Sequence, residues 1–144
     1  MPDVSIIIVN WNAKTYLKGC LESILSQTFT DYEIILVDNA SSDDSVTFVK
    51  DNFPQVRIIT NNENVGFAQG NNIGIKNSTG KIIVLFNPDA IADKEWLSIL
   101  VNVIQSSEKI AAVTGKMYYL GDKYGKDAIF CTWSKINPYS ASPY

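Results

Sequence analysis

Four short apolar runs recur through the first two thirds of the chain: Val4 to Val9 (VSIIIV), Ile34 to Val37 (IILV), Val56 to Ile59 (VRII) and Lys81 to Phe86 (KIIVLF). Runs this short, rich in β-branched residues and mostly without polar alternation, describe strands buried on both faces. A helical pattern follows each one. Asn12 stands where a helix N-cap is expected, and Tyr16, Leu17, Cys20, Leu21, Ile24 and Leu25 then recur at helical spacing. Ser41 and Asp44 have the spacing of a capping box that opens a short helix to about Asn52, with Pro54 in the turn beyond it. The third run leads through a glycine- and asparagine-rich loop, Asn61 to Asn72, into another helix, and Gly80 marks the turn after it. Asp93 is placed to cap a fourth helix carrying Trp96, Leu97, Leu100, Val101 and Ile104, and Ala111 to Thr114 is expected to form a fifth strand. Strands alternating with helices predict an α/β fold with a mainly parallel central sheet covered by helices on both faces.

Composition narrows what such a fold can do here. A length of 144 residues is that of one domain, and 46% hydrophobic with 19% charged residues excludes a disordered chain. Twelve basic and 15 acidic residues give a net charge of −3, which argues against a nucleic-acid binder that works through a basic face. A small phosphate ligand stays open, because a metal ion or a helix N-terminus receives a diphosphate without a basic surface. The chain has no histidine, which removes serine–histidine and cysteine–histidine catalysis and histidine metal sites. Cys20 and Cys131 stand far apart and are expected to be reduced thiols. No apolar run approaches the roughly 18–20 residues that span a bilayer, and the N-terminus lacks a signal-peptide pattern. The expected location is the cytoplasm, with the inner face of the membrane as a peripheral alternative.

In open α/β sheets ligands lie beyond the carboxyl ends of the strands, at the topological switch point. Those ends are polar throughout: Asn10-Trp11-Asn12, Asp38-Asn39, the Asn61 to Gly66 segment and Asn87-Pro88-Asp89. Each residue alone is as readily a turn or cap former. As a set they single out Asp38 and Asp89, two carboxylates that follow buried strands with no arginine or lysine beside them. Their expected meeting at one sheet edge calls for a divalent cation or a ligand hydroxyl. A dinucleotide fold is excluded, because NWNAKTY after the first strand has no glycine where G-x-G-x-x-G is required. Gly66, Gly70 and Gly74, spaced by four, read as close helix packing and not as a phosphate loop.

The segments VSIIIVNWN, SQTFTDYEIILVDNASSDDS, NNENVGFAQGNNIGI and GKIIVLFNPDA, in this order and at strand ends, resemble the GT-2 family of glycosyltransferases over Val4 to about Met117. The resemblance implies a GT-A (Rossmann-like) three-layer α/β/α sandwich. It implies that Val9 and the Asn10-Trp11-Asn12 turn lie along the base and ribose of a nucleotide, and that Asp38 contacts the base. Many relatives carry a second aspartate where this chain has Asn39, which leaves the base open. Asn64-Val65-Gly66 and Asn71 match the segment that packs over the nucleotide. Asn87-Pro88-Asp89 falls on the family's D-x-D motif, with Asn87 in place of the first acid and Asp89 as the expected ligand of Mg²⁺ or Mn²⁺. Asn-Pro-Asp is similar to the motif of rhamnosyl- and other bacterial surface-polysaccharide transferases, which implies a dTDP- or UDP-sugar donor.

An inverting transfer needs a general base for the acceptor hydroxyl. In the family it is an aspartate well past the D-x-D motif. Here Asp122 and Asp127 are the only carboxylates after Glu108, their LGDKYGKDAIF context reads as a polar loop, and neither is nominated. The catalytic residue is therefore unknown. Residues 1–120 are expected to form the nucleotide-sugar-binding GT-A subdomain, and 121–144 a loop-rich tail that begins an acceptor half the chain lacks. The expected partners are the nucleotide-sugar donor, a saccharide or lipid-linked acceptor, and a second copy of the chain through apolar surface left uncovered. The competing reading is a nucleotide-binding module without turnover. A receiver-like signalling domain ranks below both, because it needs acidic residues at the end of the first strand, where Asn10 stands.

Overall fold

The computed structural model describes residues 1–119 and the backbone of 129–131. It divides into two compact units, one spanning Met1–Glu95 and one that begins at Trp96. The break precedes the expected boundary at 120/121, and among the described residues every strand of the parallel sheet lies before Trp96. The expected tail, 121–144, lies outside the described residues apart from the backbone of 129–131.

The first unit holds a four-stranded sheet in the order β3-β2-β1-β4, formed by β1 (Val4–Asn10), β2 (Tyr32–Asp38), β3 (Arg57–Thr60) and β4 (Ile82–Phe86). All three pairings are parallel, with Val4 opposite Tyr32 and Ile82, and Asn10 opposite Asp38. Every residue of β1 is buried, as expected of a central strand covered on both faces. β3 starts one residue later than the sequence pattern suggests. The Val56 N–H closes the preceding turn on the Phe53 carbonyl, and pairing begins at Arg57.

Right-handed crossovers place α1 (Lys14–Leu25) and α2 (Ser45–Asn52) on one face and α3 (Phe67–Lys76) on the other. The result is the expected three-layer α/β/α arrangement. Under α3, Ile7, Val9, Ile35 and Val37 form the core with Ile59, Ile73 and Ile83. Complete burial of such side chains contributes on the order of 1.5–3 kcal/mol each. Two glycines let the helix come this close: a Cβ on Gly70 would lie 2.8 Å from Val9 Cγ1, and one on Gly74 would overlap Ile7. On α1 the buried positions are Leu17, Cys20, Leu21, Ser23 and Ile24, while Tyr16 points outward.

Both expected side-chain caps are replaced by bonds between loops. Ala13, not Asn12, caps α1. Asn12 is left-handed (φ 51°), and its Oδ1 accepts from the Ser42 N–H at 2.8 Å. Asparagine tolerates this conformation because its short polar side chain finds local partners. At α2 the cap is Asp44, also left-handed, and its side chain makes no cap bond. Asp43 instead accepts from the Ser45 N–H and hydroxyl, and Ser41 is drawn toward β1.

The N-terminal edge of the sheet is closed. One oxygen of Glu33 accepts from Ser5 Oγ at 2.6 Å, the Thr79 N–H at 2.7 Å and Thr79 Oγ1 at 2.8 Å. Ser5 Oγ in turn accepts from the Gly80 N–H at 2.8 Å. Burial pushes the Glu33 carboxyl up, but the bonds from Ser5 and Thr79 and the Arg57 charge outweigh it and hold the group below its ordinary value.

The second unit contains α4 (Trp96–Gln105), with Leu97 and Val101 buried, and a small antiparallel ladder of β5 (Met117–Tyr118) with β6 (Ile129–Cys131). Trp96 is half-buried, and a Cβ on Gly115 would meet its indole nitrogen at 3.0 Å. Asp93 lies three residues ahead of α4 and accepts from the Glu95 N–H. Ala111 to Thr114 is not a strand: alanine has little β preference, and no partner strand pairs with this segment among the described residues.

Candidate functional site

The polar strand ends form two layers. The inner layer is buried and closed. Asn10 Nδ2 donates to Asp38 Oδ1 at 2.7 Å and to Ser41 Oγ at 3.0 Å, and the Ser41 N–H donates to Asp38 Oδ2 at 2.9 Å. Ser41 Oγ also accepts from the Asn12 N–H at 2.9 Å. Asp38 is 2% exposed, and both its oxygens are taken within the chain. Asn10 Oδ1 is the one buried side-chain oxygen or nitrogen without a partner among the described residues. Lys14 fastens the same two loops further out, its N–H to Asp43 Oδ2 at 2.8 Å and its ammonium 3.7 Å from Asp44.

A second set of bonds holds the segment after β3. Asn39 accepts from Asn61 Nδ2 at 2.8 Å and donates to Asn64 Oδ1 at 3.3 Å and to the Gly66 carbonyl at 3.2 Å. Gly66 adopts φ 81° and ψ 171°, a combination essentially confined to glycine.

Above this layer lies an open cleft of about 500 Å³, within the range of small-molecule sites. One wall is Trp11, Asn12, Ala13 and Tyr16, the next Asn39, Asn64, Gly66 and Phe67, and the last Asn87, Pro88 and Asp89, with Val9 also lining it. The chain winds outward from β1 to β3 and returns to β4 on the other side of β1, so the loops after β1 and β4 flank the switch point. Trp11, Tyr16 and Phe67 are 57%, 58% and 58% exposed and surround a space that also meets amide groups.

The Asn87-Pro88-Asp89 turn rests on α1. The Cys20 thiol donates to the Asn87 carbonyl at 3.6 Å, and Ser23 Oγ accepts from the Ala92 N–H at 3.1 Å. Burial, and to a lesser degree the Asp89 charge, push the Cys20 thiol up to about 12. It stays protonated at neutral pH and offers no thiolate to a metal. Asp89 is exposed and, among the described residues, is the only charged one lining the cleft and accepts no hydrogen bond.

Of the residues singled out in the sequence, Val9, Asn12, Asn39, Gly66, Asn87 and Asp89 line the cleft, and Asn10, Asp38 and Asn71 do not. Asn71 is buried in α3 and donates to the Phe67 carbonyl at 3.0 Å. Asp38 and Asp89 do not meet as a pair. β1 lies between β2, which ends in Asp38, and β4, which leads to Asp89, and Asp38 is consumed internally while Asp89 lines the cleft. The described residues contain no group of three or more histidine, cysteine or acidic side chains that could hold a metal. A single free carboxylate still fits Mg²⁺ or Mn²⁺, which bind through one or two carboxylates together with substrate phosphates and water. Ala13, Tyr16 and Phe67 were not anticipated as site residues. Tyr16 counts by helical spacing as part of the apolar face of α1, yet it lies one position before the buried Leu17 and faces the cleft. Asp122 and Asp127 lie outside the described residues. No helix among the described residues is long and apolar enough to cross a membrane.

Comparison with known proteins places this geometry. The family model described as Glycosyl transferase family 2 matches residues 5–139. The glycosyltransferase GlyG of Streptococcus pneumoniae is 34% identical over 125 residues, covering 83% of this chain and 40% of that protein. A fragment of S. aureus TarS in complex with UDP-GlcNAc superposes with a TM-score of 0.66 at 23% identity, over 71% of this chain and 31% of that one. The mannosyltransferase PcManGT of Pyrobaculum calidifontis, in complex with GDP-Man and Mn²⁺, superposes with a TM-score of 0.68 at 23% identity, over 74% of this chain and 33% of that one. The chain spans between 17% and 40% of the length of these and other curated relatives that it matches. A parallel sheet with its cleft at the switch point and a family match over nearly all of the sequence lead to one conclusion: the chain belongs to glycosyl transferase family 2 and has the GT-A fold.

Proposed function

We propose that the cleft receives a nucleoside diphospho-sugar and that the chain serves an inverting, metal-assisted transfer of its sugar to an acceptor hydroxyl. The observation that carries this reading is Asp89: a carboxylate beside the switch point, free of hydrogen bonds and salt bridges among the described residues, in a cleft whose other described lining residues are all uncharged. A carboxylate left free there repels a bare diphosphate, so it suits a ligand that arrives with a cation. Asp89 is the residue that would hold Mg²⁺ or Mn²⁺, and such an ion neutralises the charge that builds on the leaving diphosphate.

The remaining residues divide the binding. Trp11, Tyr16 and Phe67 offer flat apolar faces to a base or a sugar. Asn12, Asn39 and Asn64 present neutral amides suited to base edges and hydroxyls. Gly66, lacking a side chain, lets a ligand approach the backbone closely. The rigid turn through Pro88 fixes where Asp89 stands. Asp38 acts beneath the cleft, holding Asn10 and Ser41 in place, and its contact with a base in the resemblance becomes an indirect one in this reading. The donor is a dTDP- or UDP-sugar, and the acceptor is a saccharide or a lipid-linked acceptor in surface-polysaccharide synthesis at the inner membrane face.

A second reading, a nucleotide-sugar-binding module without turnover, has one observation in its favour: among the described residues Asp89 is the only carboxylate lining the cleft, which leaves no second one as general base. Titration calorimetry with UDP, dTDP and GDP, each with and without Mn²⁺, tests the donor site. One nucleotide binding only with the metal supports it, and no binding by the folded chain rejects it. Sugar transfer from the matching donor to a saccharide acceptor then separates an enzyme from a module.

A further inference from the structure

We propose that Asn39 is a positioning residue whose amide holds the Asn61 to Gly66 segment against the end of β2 and thereby sets the cleft wall formed by Asn64, Gly66 and Phe67. The inference rests on the reading of the cleft as a nucleotide site.

The side chain at position 39 is 2% exposed and uses both its ends. Its oxygen receives Asn61, and its nitrogen serves Asn64 Oδ1 and the Gly66 carbonyl. Its own N–H donates to the Asn10 carbonyl at 2.8 Å, so the clasp is anchored to the central strand. Asn64 Oδ1 also accepts from the Gly66 N–H at 2.9 Å, and the Gly66 carbonyl receives the Gly70 N–H at 3.0 Å in the first turn of α3. A single amide thus governs where α3 begins and where Phe67 stands. Only an amide satisfies this set. An ionised aspartate of the same shape would keep Asn61 as a donor to one oxygen but would turn the other toward two acceptors, burying a charge half of which has no donor.

The test uses the full chain, Asn39→Asp and Asn61→Ala, with amide hydrogen exchange, thermal unfolding and calorimetric titration of the preferred nucleotide with Mn²⁺. In Asn39→Asp the expected result is loss of exchange protection confined to residues 61–70, protection retained in β1 and β2, and nucleotide binding weakened about tenfold. Asn61→Ala removes the partner of the Asn39 oxygen without touching the cleft lining and decides the matter if Asn39→Asp fails to fold. It is expected to lose exchange protection over residues 61–70 and to bind the nucleotide about fivefold more weakly, a loss of affinity that no direct contact with the ligand accounts for. Wild-type affinity in both variants, with the wild type binding normally, overturns the proposal alone. A folded wild type that binds no nucleotide overturns the donor-site reading and this proposal with it.

Discussion

The two edges of the parallel sheet use the same kinds of residue for opposite ends. At the N-terminal edge Glu33 accepts three hydrogen bonds on one oxygen, and Ser5 beside it both gives and receives. At the C-terminal edge Asp38 is equally committed, to Asn10 and the Ser41 N–H. Asp89, on the same edge, accepts no hydrogen bond among the described residues and faces a cleft. The difference lies in the connections. A Cβ on Gly80 would approach Ser5 N to 2.6 Å, so the turn after α3 is pressed against the sheet. The turn after β4 instead spans the switch point, where neighbouring loops diverge. Carboxylates with their partners already in the chain stabilise the fold, and the one without them is available to a ligand.

The largest expected effect is at Asp38. Asp38→Ala strands the Ser41 N–H and one of the two N–H groups of the Asn10 amide in a buried layer and should cost about 3 kcal/mol in urea unfolding; a loss below about 1 kcal/mol would mean that the inner layer is not structural. Next is Gly80→Ala, which drives a methyl into the backbone of Val4 and Ser5 and should cost about 2 kcal/mol while the nucleotide affinity of the folded protein is unchanged. Glu33→Gln is expected to cost about 1–1.5 kcal/mol at neutral pH. Because the folded-state value of Glu33 is lowered from the ordinary 4.5, its contribution is full above that value and is lost as pH falls through the lowered one. Stability curves of wild type and variant should therefore converge in acid, and a constant gap across pH would remove Glu33 from the account.

Much of this was legible in the sequence for a physical reason. A buried parallel strand has to be apolar on both faces, so β1, β2 and β4 announce themselves, and their polar ends mark the cleft. Loop partners were not legible. Asn12, Ser41 and Asp44 look like caps because capping is a local rule, whereas Asn12 bonds to Ser42 and Ser41 receives Asn10, about 30 positions away in each case. The same limit hid the clasp at Asn39, whose partners lie on a different loop. Asp38 and Asp89 do share one sheet edge, but the sequence did not show that Asp38 spends both its oxygens on Asn10 and the Ser41 N–H. Tyr16 was misplaced because helical spacing gives the apolar face of α1 only to within one position, and Leu17 marks its true edge.

The most direct test of the division between the two edges is a paired comparison of Asp89→Asn and Glu33→Gln, each measured for unfolding free energy and for nucleotide affinity with Mn²⁺. The account predicts that Asp89→Asn leaves stability within about 0.5 kcal/mol of wild type and abolishes metal-dependent binding, while Glu33→Gln lowers stability and leaves affinity intact. Equal loss of stability in both variants, or undiminished metal-dependent binding in Asp89→Asn, would contradict it.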